Sequence, residues 1–507
     1  MIIYNRCNIM NYESTRDKSI KITSAEAIVA GISHEGGLFV PDAIPSITEA
    51  EILALGDMSY CERAVAVFSK FLTDFTADEI KSCVNSAYST GTFETENVME
   101  LKTVRDGEHI LELWHGPTCA FKDMALQILP HLLITSVRKT GTDKKVCILV
   151  ATSGDTGKAA LEGFKDAPGT EILVFYPENG VSAMQKLQMI TQDGKNVGVC
   201  AIKGNFDDAQ TGVKKIFTDP DVAKKLADNG IMFSSANSIN WGRLAPQIVY
   251  YVSSYAQLVH DGKVKMGDPI NICVPTGNFG NILAAYYAKL MGIPIAKLIC
   301  ASNSNNVLTD FLRTGVYDRN RTFYTTISPS MDILVSSNLE RLLYHLSGRD
   351  DAYIRSLFAD LSTKGRFEVS DDIKSKLNEL FYAGFCTEDE TKTAIKSTKD
   401  AFDYTVDTHT AVAVGVYNKY TAETGDDTPC VIASTASPYK FPAAVLESLG
   451  DTTEYADEFA MADALYNVSG LPIPKALSEL KTKTPRFTGS VEKSEMLDAV
   501  YNMLKIN

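Results

Sequence analysis

The segment Val146-Cys-Ile-Leu-Val-Ala-Thr-Ser-Gly-Asp-Thr-Gly157 joins a short apolar run to a turn rich in glycine and hydroxyl side chains. Short runs of this kind, rich in Val and Ile and bounded by turn residues, are typical of strands buried on both faces of a parallel sheet. Several similar runs follow along the chain. The pattern predicts strands over residues 145–152, 171–176, 197–202, 231–235, 271–274, 298–301 and 430–434.

Helix-like stretches alternate with these strands. Residues 207–226, 243–258, 281–291 and 439–449 carry apolar side chains at three-to-four spacing, which indicates helices with one buried face. Strand–helix–strand alternation implies right-handed crossovers and parallel sheets that are covered by helices on both sides. The sequence therefore predicts an α/β fold.

The chain is longer than a single hydrophobic core usually serves, so we expect several compact units. Residues 1–95 are predicted to form a small N-terminal domain, residues 96–460 the α/β core, and residues 461–507 a C-terminal helical extension. Within the core, the charged region at about 317–405 is predicted to be a helical insertion, with helices at 339–346 and 371–383.

Charge and cysteine content exclude several classes of function. The 507 residues include 49 Lys and Arg against 63 Asp and Glu, a formal net charge of −14, which argues against a nucleic acid or an anionic membrane as partner. The 10 cysteines form no CxxC pair and no Cys/His cluster, so we expect reduced thiols, no bound metal and a cytoplasmic location. No apolar run is long enough for a transmembrane helix. We expect a monomer or a homodimer.

The segment His115-Gly-Pro-Thr-Cys-Ala-Phe-Lys122-Asp123 carries a lysine with a potential chemical role. Lys122 precedes an apolar helical run at 124–129, and Asp123 is placed as a possible N-cap. A helix N-terminus disfavours an ammonium, so an amine there can stay partly neutral and form a Schiff base with an aldehyde. Because most lysines are solvated surface charges, this interpretation depends on the segments that accompany Lys122.

Pro275-Thr-Gly-Asn-Phe-Gly-Asn281 follows a predicted strand and precedes a predicted helix. Its glycines allow the backbone to approach a ligand, and the helix end offers unpaired N–H groups, so the segment is predicted to bind a phosphate. An ordinary strand-to-helix turn has the same pattern. A dinucleotide site is less favoured because no GxGxxG is present, and 152–158 is not a P-loop because Thr152 stands where the first glycine belongs.

Two further turns have the composition of anion sites. Residues 152–157 suit a carboxylate, although a well-capped turn without a ligand has the same pattern. In Asn237-Ser-Ile-Asn-Trp-Gly-Arg243, Arg243 can clamp a phosphate or a carboxylate, or it can form a structural salt bridge. By contrast, His115 and His409 are interpreted as scaffold residues and Cys119 as a packed thiol.

With these segments quoted, the chain resembles threonine synthase of the longer bacterial and fungal subgroup, within the type II pyridoxal phosphate-dependent (tryptophan synthase β-like) fold. The resemblance covers nearly the whole chain. Besides the segments above, it is carried by Tyr12-Glu-Ser-Thr-Arg16, Gly36-Gly-Leu-Phe-Val-Pro41, Asp407-Thr-His-Thr-Ala411 and Thr435-Ala-Ser-Pro-Tyr-Lys-Phe441.

The resemblance implies a role for each matching residue. It implies that Lys122 binds the cofactor pyridoxal 5'-phosphate and that Thr435 meets its pyridine nitrogen. It also implies that the cofactor phosphate is held by Gly277, Asn278, Phe279, Gly280 and Asn281. The substrate carboxylate and the cofactor oxygen would be met by Ser153, Asp155 and Thr156, and the substrate phosphate by Asn237, Ser238, Asn240 and Arg243.

The implied activity is that of a carbon–oxygen lyase, which converts O-phospho-L-homoserine and water into L-threonine and phosphate in the last step of threonine biosynthesis. A phospholyase that releases 2-oxobutyrate from the same substrate, a serine or threonine dehydratase, and a catalytically silent ligand-binding homologue are the alternatives. Asp155 departs from the many members of the fold type that have Asn, so a direct hydrogen bond to the cofactor phenolate would need a proton or an intervening group. Ser437 also stands where some relatives have His.

Overall fold

The structure is a computed structural model and describes residues 9–88, 91–152, 154–179 and 181–506. The strands are β1 Tyr12–Ser14, β2 Asp17–Ile22, β3 Phe39–Pro41, β4 Glu100–Arg105, β5 Glu108–Glu112, β6 Lys145–Ala151, β7 Thr170–Pro177, β8 Val197–Ile202, β9 Ile231–Ser234, β10 Ile270–Pro275, β11 Ile295–Ser302, β12 Val316–Asp318, β13 Arg366–Glu368, β14 Phe381–Phe385, β15 Cys430–Ser434 and β16 Ser490–Val491.

Helices connect and cover these strands. They are α1 Ser24–Ala30, α2 Glu49–Gly56, α3 Tyr60–Phe71, α4 Ala77–Tyr88, α5 Asp123–Leu126, α6 Leu129–Lys139, α7 Asp155–Phe164, α8 Ala183–Ile190, α9 Phe206–Thr218, α10 Pro220–Asp228, α11 Trp241–His260, α12 Gly280–Met291, α13 Val307–Thr314, α14 Leu339–Leu346, α15 Asp351–Lys364, α16 Asp371–Leu380, α17 Glu388–Phe402, α18 Thr408–Thr424, α19 Pro442–Ser448, α20 Glu458–Ser469, α21 Lys475–Ser478 and α22 Met496–Leu504. Short 3-10 helices span Pro329–Met331, Pro438–Lys440, Glu479–Thr482 and Lys493–Glu495.

Two parallel sheets form the core of the molecule. The larger has the order β14-β11-β10-β15-β5-β4 and is parallel except for β4, which pairs antiparallel with β5. The smaller has the order β16-β8-β7-β6-β9 and is parallel throughout. Strands β10 and β15 are buried at every residue, as expected for strands with helices on both faces. The predicted α/β class is confirmed.

Helix α11 connects the N-terminal region to the core. Its first residue, Trp241, lies edge-on to Tyr12 and Phe71 of that region, with ring centroids 5.2 and 5.6 Å away. Helix α11 also packs against α2, α3 and α12. The N-terminal region is therefore held against the helix that carries Arg243.

Three predicted helices differ from the structure in their bounds. The helix predicted over 207–226 is two helices, α9 and α10, because Pro220 disfavours a helical Asp219 and the Asp219 carboxylate caps α10 instead. The helix predicted over 371–383 ends at Leu380, and the chain continues as strand β14 at the edge of the larger sheet. The helix predicted over 439–449 begins as a 3-10 turn and restarts at Pro442.

The domain boundaries near residues 95, 317, 405 and 460 remain a prediction.

Among the described residues, no helix combines the length and apolar character needed to cross a membrane.

Candidate active site

Three of the predicted site segments follow neighbouring strands of the larger sheet. The turn at 276–280 follows β10, the loop beginning at Thr435 follows β15, and the loop that leads to Lys122 follows β5. Because these strands are parallel and adjacent, their carboxyl ends bring the three loops to one edge of the sheet. Backbone hydrogen bonds join two of them directly, since Phe121 N–H donates to the Thr435 carbonyl at 2.8 Å.

The smaller sheet contributes the other two segments in the same way. Strands β6 and β9 are neighbours; β6 leads to Asp155 at the start of α7, and β9 leads to the loop before α11, which carries Arg243. Ion pairs and hydrogen bonds between the two sets of loops, described below, place the site between the two sheets.

Lys122 is 8 % exposed and lies at the centre of this site. Its Nζ lies 3.3 Å from the Ser330 hydroxyl and 3.5 Å from Oδ2 of Asp155. Burial lowers the pKa of the Lys122 amine, and the charges of Lys440 and Arg243 lower it further, whereas Asp155 acts in the opposite direction. A lysine in this setting gives up a proton more easily than a surface lysine, as a nucleophile or a base requires.

The local structure around Lys122 differs from the prediction at one residue. Asp123 is not the N-cap of the following helix; Lys122 takes that position without a side-chain cap, and α5 is a single turn. The Asp123 carboxylate instead accepts hydrogen bonds from the Thr118 backbone N–H and hydroxyl at 2.8 and 2.7 Å. Asp123 therefore fixes the loop that precedes Lys122 rather than the helix that follows it.

Asp155 is a buried carboxylate between two lysines. Lys440 Nζ lies 2.7 Å from its Oδ1, with 0 % of the lysine side chain and 2 % of the aspartate side chain exposed. Gln185 also donates to Oδ1, at 3.0 Å. Although burial alone would raise it, the pKa of Asp155 is held far below its usual range by Lys440 and, to a smaller degree, by Lys122. Asp155 is therefore an ionised hydrogen-bond acceptor in this site.

The glycine- and asparagine-rich turn has the shape of an anion cradle. Phe279 takes a left-handed conformation with φ 62°, and α12 begins directly after it at Gly280. A Cβ on Gly277 would lie 3.0 Å from the Ser330 carbonyl oxygen, so a side chain there would crowd the backbone. Asn281 has its Oδ1 engaged by the Tyr250 and Tyr251 hydroxyls, while its buried Nδ2 has no partner among the described residues. These features fit the phosphate of pyridoxal phosphate, because an unpaired donor beside a helix N-terminus favours an anion.

Arg243 is a buried cation that has no carboxylate partner among the residues that the structure describes. It is 3 % exposed, and Nη1 donates to the Ala236 carbonyl at 2.5 Å. Within the described chain no acidic side chain pairs with its guanidinium, and the buried Nε has no hydrogen-bond partner. Desolvation lowers its pKa to about 10. The structural salt bridge considered for this residue is not found, and a buried unpaired guanidinium is suited to an anionic ligand.

The other predicted residues of that loop have different roles. Asn240 caps α11 and donates both amide hydrogens to backbone carbonyls, of Ile28 at 3.0 Å and Ser235 at 2.9 Å. Its side chain thus has no free donor for a ligand and serves the scaffold. Asn237 is exposed, and the Ser238 hydroxyl accepts a 3.3 Å hydrogen bond from Asn338.

The remaining predicted residues lie at the ends of strands and helices. Thr435 is 5 % exposed, and its backbone carbonyl accepts the hydrogen bond from the Phe121 N–H. Thr156 lies in the first turn of α7. Asn278 contributes its backbone carbonyl, which accepts from the Asn338 backbone N–H at 3.1 Å. Ser153 lies outside the described residues.

Three residues of the site were not predicted: Ser330, Asn338 and Lys440. Ser330 and Asn338 come from the segment interpreted as an insertion, and nothing in their sequence spacing connects them to Lys122 or to the glycine turn. Lys440 lies within the recognised segment Thr435–Phe441, and its place in that segment was the available signal. His409 is a scaffold residue, as predicted: its Nδ1 pairs with Asp407 at 2.8 Å, and its Nε2 accepts from the Ser330 backbone N–H at 3.1 Å.

Three family models match successive parts of the chain. They are described as threonine synthase N terminus, over residues 11–88, pyridoxal-phosphate dependent enzyme, over 109–365, and threonine synthase, C-terminal, over 410–500.

Curated relatives and solved structures agree with these matches. The human protein named threonine synthase-like 1 is 42 % identical over 435 residues, which cover 84 % of this chain and 58 % of that protein, so the chain spans less than two thirds of that relative. The threonine synthase of Pseudomonas aeruginosa is 38 % identical, with 86 % of this chain and 90 % of that protein covered. The crystal structure of pyridoxal phosphate-bound threonine synthase from Brucella melitensis superposes with a TM-score of 0.86 at 36 % identity, over 98 % of this chain and 99 % of that one. The chain therefore belongs to the threonine synthase family of pyridoxal-phosphate-dependent enzymes and has the type II fold of that class.

Proposed function

We propose that this protein is a carbon–oxygen lyase that converts O-phospho-L-homoserine and water into L-threonine and phosphate. The observation that carries the proposal is Arg243, a buried guanidinium that has no acidic partner among the described residues and whose charge acts to lower the pKa of Lys122. A dehydratase acting on serine or threonine needs one phosphate site, for the cofactor. This site offers two places for anions, the turn at 277–281 and the guanidinium of Arg243.

The residues present fit pyridoxal phosphate. We expect Lys122 to bind its aldehyde, residues 277–281 to hold its phosphate, and the Thr435 hydroxyl to meet its ring nitrogen. When bound, pyridoxal phosphate supplies an aldehyde that reacts with amines and a ring that accepts electrons from the substrate Cα. A hydroxyl partner at the ring nitrogen, rather than a carboxylate, leaves the ring less electron-withdrawing.

Lys122 is the group that moves protons in this proposal. With substrate bound, its Nζ would be placed to remove the proton from Cα and to carry protons between Cα, Cβ and Cγ. The bond from Cγ to the phosphate oxygen breaks, and phosphate leaves with the electron pair. Water then adds its hydroxyl at Cβ, and a proton is placed on Cγ, which balances the reaction as threonine plus phosphate.

Charges around the substrate are arranged for two anionic groups. The substrate carboxylate is expected at the N-terminus of α7, near Ser153 and Thr156, where the helix dipole favours an anion. Asp155 stands in that first turn, but the Lys440 ammonium 2.7 Å away compensates its charge, so a second carboxylate can approach. The leaving phosphate is expected at Arg243, with Asn237 and Ser238 in the same loop.

The test measures all three products at once. Purified protein with pyridoxal phosphate and O-phospho-L-homoserine is expected to give threonine and phosphate in equal amounts, and Lys122→Ala to give neither. Arg243→Ala is expected to lower kcat/KM by about 10- to 100-fold, the size of a lost charge-assisted hydrogen bond. Arg313→Ala is the matched control, since this arginine also donates to a backbone carbonyl, of Ala383 at 2.8 Å, on α13 outside the site.

Other product patterns would refute the proposal. Phosphate with 2-oxobutyrate would identify a phospholyase, and bound cofactor without turnover would identify a silent homologue or a different substrate. We also infer a cytoplasmic protein that acts as a monomer or homodimer without nucleic acid, which is supported by the acidic net charge and by free thiols at the nine described cysteines.

A further inference from the structure

Asp155 faces two ammonium groups at unequal distances. Lys440 Nζ lies 2.7 Å from Oδ1, whereas Lys122 Nζ lies 3.5 Å from Oδ2. Gln185 adds a neutral donor to the same oxygen that Lys440 contacts. Because Lys440 makes the closer contact and its side chain is wholly buried, the carboxylate charge is compensated without Lys122.

We propose that Lys440 is a positioning residue: by taking Asp155 as its own ion-pair partner, it keeps Lys122 from being locked as an ammonium and so leaves part of it as a free amine. The inference rests on the proposed function only in taking Lys122 as the reactive amine. If Asp155 were paired with Lys122 alone, the buried one-to-one ion pair would hold the Lys122 proton, and a protonated lysine can neither attack an aldehyde nor remove a proton.

Other contacts of Lys440 support this role. Its Nζ also donates to the Thr118 carbonyl at 3.0 Å, in the loop that leads to Lys122, and to Gln188 Oε1 on α8 at 3.1 Å. One ammonium thus joins the Lys122 loop, α7 and α8 at a fixed point. Lys440 therefore fixes both the place and the charge of the carboxylate that faces Lys122.

Ser330 links the reactive amine to that carboxylate. Its hydroxyl lies 3.3 Å from Lys122 Nζ and 3.3 Å from Asp155 Oδ2. Because Asp155 is ionised it can only accept, so the Ser330 hydroxyl donates to Asp155 and uses a lone pair to accept from Lys122. Its position is set by His409, which accepts the Ser330 backbone N–H.

The charged groups around Lys122 define the direction of the expected effect. Asp155 favours the ammonium form, while Lys440 and Arg243 disfavour it. Lys440 itself faces Asp155, and at longer range its charge acts to lower the pKa of Asp123 and of the Cys119 thiol. Removing the Lys440 charge leaves Asp155 to Lys122 alone, so the Lys122 amine should titrate at higher pH.

The test measures this titration in the protein without cofactor or substrate. Apoprotein is labelled briefly with acetic anhydride at a series of pH values, and acetylation of the peptide that contains Lys122 is quantified by mass spectrometry. Lys440→Gln, which keeps an amide donor for the Thr118 carbonyl but removes the charge, is expected to raise the midpoint by about one pH unit. Lys440→Met is the second variant and is expected to shift it in the same direction.

Lys158→Met is the matched control. Lys158 is another buried lysine, on α7, but its ammonium pairs with Glu162 at 2.8 Å, and its removal should leave the Lys122 midpoint unchanged. Asp155→Asn should lower the midpoint. In the Asp155→Asn background, Lys440→Gln should raise it by removing the repulsion of an unpaired ammonium.

Several results would overturn the inference. An unchanged midpoint in both Lys440 variants, or an equal shift in Lys158→Met, would show that the Lys440 charge does not act on Lys122. If both Lys440 variants fail to fold, Asp155→Asn decides the question, and a Lys122 midpoint in Asp155→Asn equal to that of the wild type overturns the inference. If the Lys122 midpoint rises in the Lys440 variants as expected but the wild-type protein forms no threonine, only the proposed function is refuted. If the wild-type protein forms threonine but the midpoint does not rise, only this inference is refuted.

Discussion

Gly163→Ala should destabilise the protein through the helix that follows Lys122. Helix α7 packs against the single turn α5, and a Cβ on Gly163 would overlap the Leu126 carbonyl oxygen and lie 2.9 Å from its carbon. Leu126 is in the same turn as Lys122, because its N–H donates to the Lys122 carbonyl at 2.9 Å. The obstacle is backbone, so it cannot rotate away, and α5 or α7 must move.

The size of the effect follows from two opposing terms. Alanine in place of glycine inside a helix gains about 0.5–1 kcal/mol, and forcing a methyl group into a packed contact costs about 1–3 kcal/mol. We therefore expect a net loss of about 1–2 kcal/mol, seen as a lower urea midpoint. Because displacement of α5 carries Lys122 with it, pyridoxal phosphate should also react more slowly with the apoprotein.

Gly212→Ala is the matched control for this substitution. Gly212 lies inside α9, and the atoms nearest to an added Cβ would be the sulfur and methyl of Met496, the end of a flexible side chain rather than backbone. We expect its free energy of unfolding, from urea titration, to stay within about 0.5 kcal/mol of the wild-type value. Gly163→Ala protein as stable as wild type, or equal losses in both variants, would refute the reasoning.

Three further substitutions test the energetics of the fold and the cofactor site. Burial alone would raise the pKa of Glu162, but the Lys158 ammonium lowers it to about 2, below its ordinary value of 4.5. The ion pair therefore adds to the free energy of unfolding in full above pH 4.5, and this contribution is lost as the pH falls towards 2. The wild-type urea midpoint should therefore fall more than that of Glu162→Gln between pH 5 and pH 3, and parallel profiles would contradict this. Arg341→Met should lower stability by about 3 kcal/mol, because the buried guanidinium donates to three oxygen atoms, and an unchanged urea midpoint would rule this out. Tyr251→Phe should weaken pyridoxal phosphate binding about three- to tenfold, since its hydroxyl holds Asn281, and equal affinity in a fluorescence titration would count against the predicted role of that turn.

Seven parallel strands, β6 to β11 and β15, were predictable because burial on both faces leaves a strong local pattern, whereas β5 was not predicted although it is buried at every residue. The strand predicted over 197–202 has the bounds found in the structure, and that over 145–152 ends one residue later than β6. Strand β14 was missed because Phe381-Tyr-Ala-Gly-Phe385 is short, contains no β-branched residue and follows a helical pattern in a charged region. Its place at the edge of the larger sheet depends on pairing with β11, a contact distant in sequence.

The candidate site shows the same division between local and long-range information. Lys122, the turn at 277–281 and Arg243 could be predicted because each follows or precedes an element with a clear pattern. Ser330 could not, because its approach to Lys122 joins residues 208 positions apart in the chain. The absence of an acidic partner for Arg243 was likewise beyond the sequence, since an arginine motif alone fits a salt bridge as well as a ligand site.

The role of Asp155 follows from the charges of the whole site. From sequence, an aspartate where many members of the fold type have asparagine raised the question of a proton shared with the cofactor. The structure answers part of it, because a carboxylate 2.7 Å from a wholly buried ammonium does not retain a proton near neutral pH. Lys122 and Lys440 both face this carboxylate, and the charge of Arg243 also acts on Lys122, so positively charged groups are concentrated here inside a protein whose net charge is −14. Ligands with two anionic groups are then favoured by the local positive charge. Because Lys440 is the closer partner of Asp155, that carboxylate does not hold the proton of the reactive lysine.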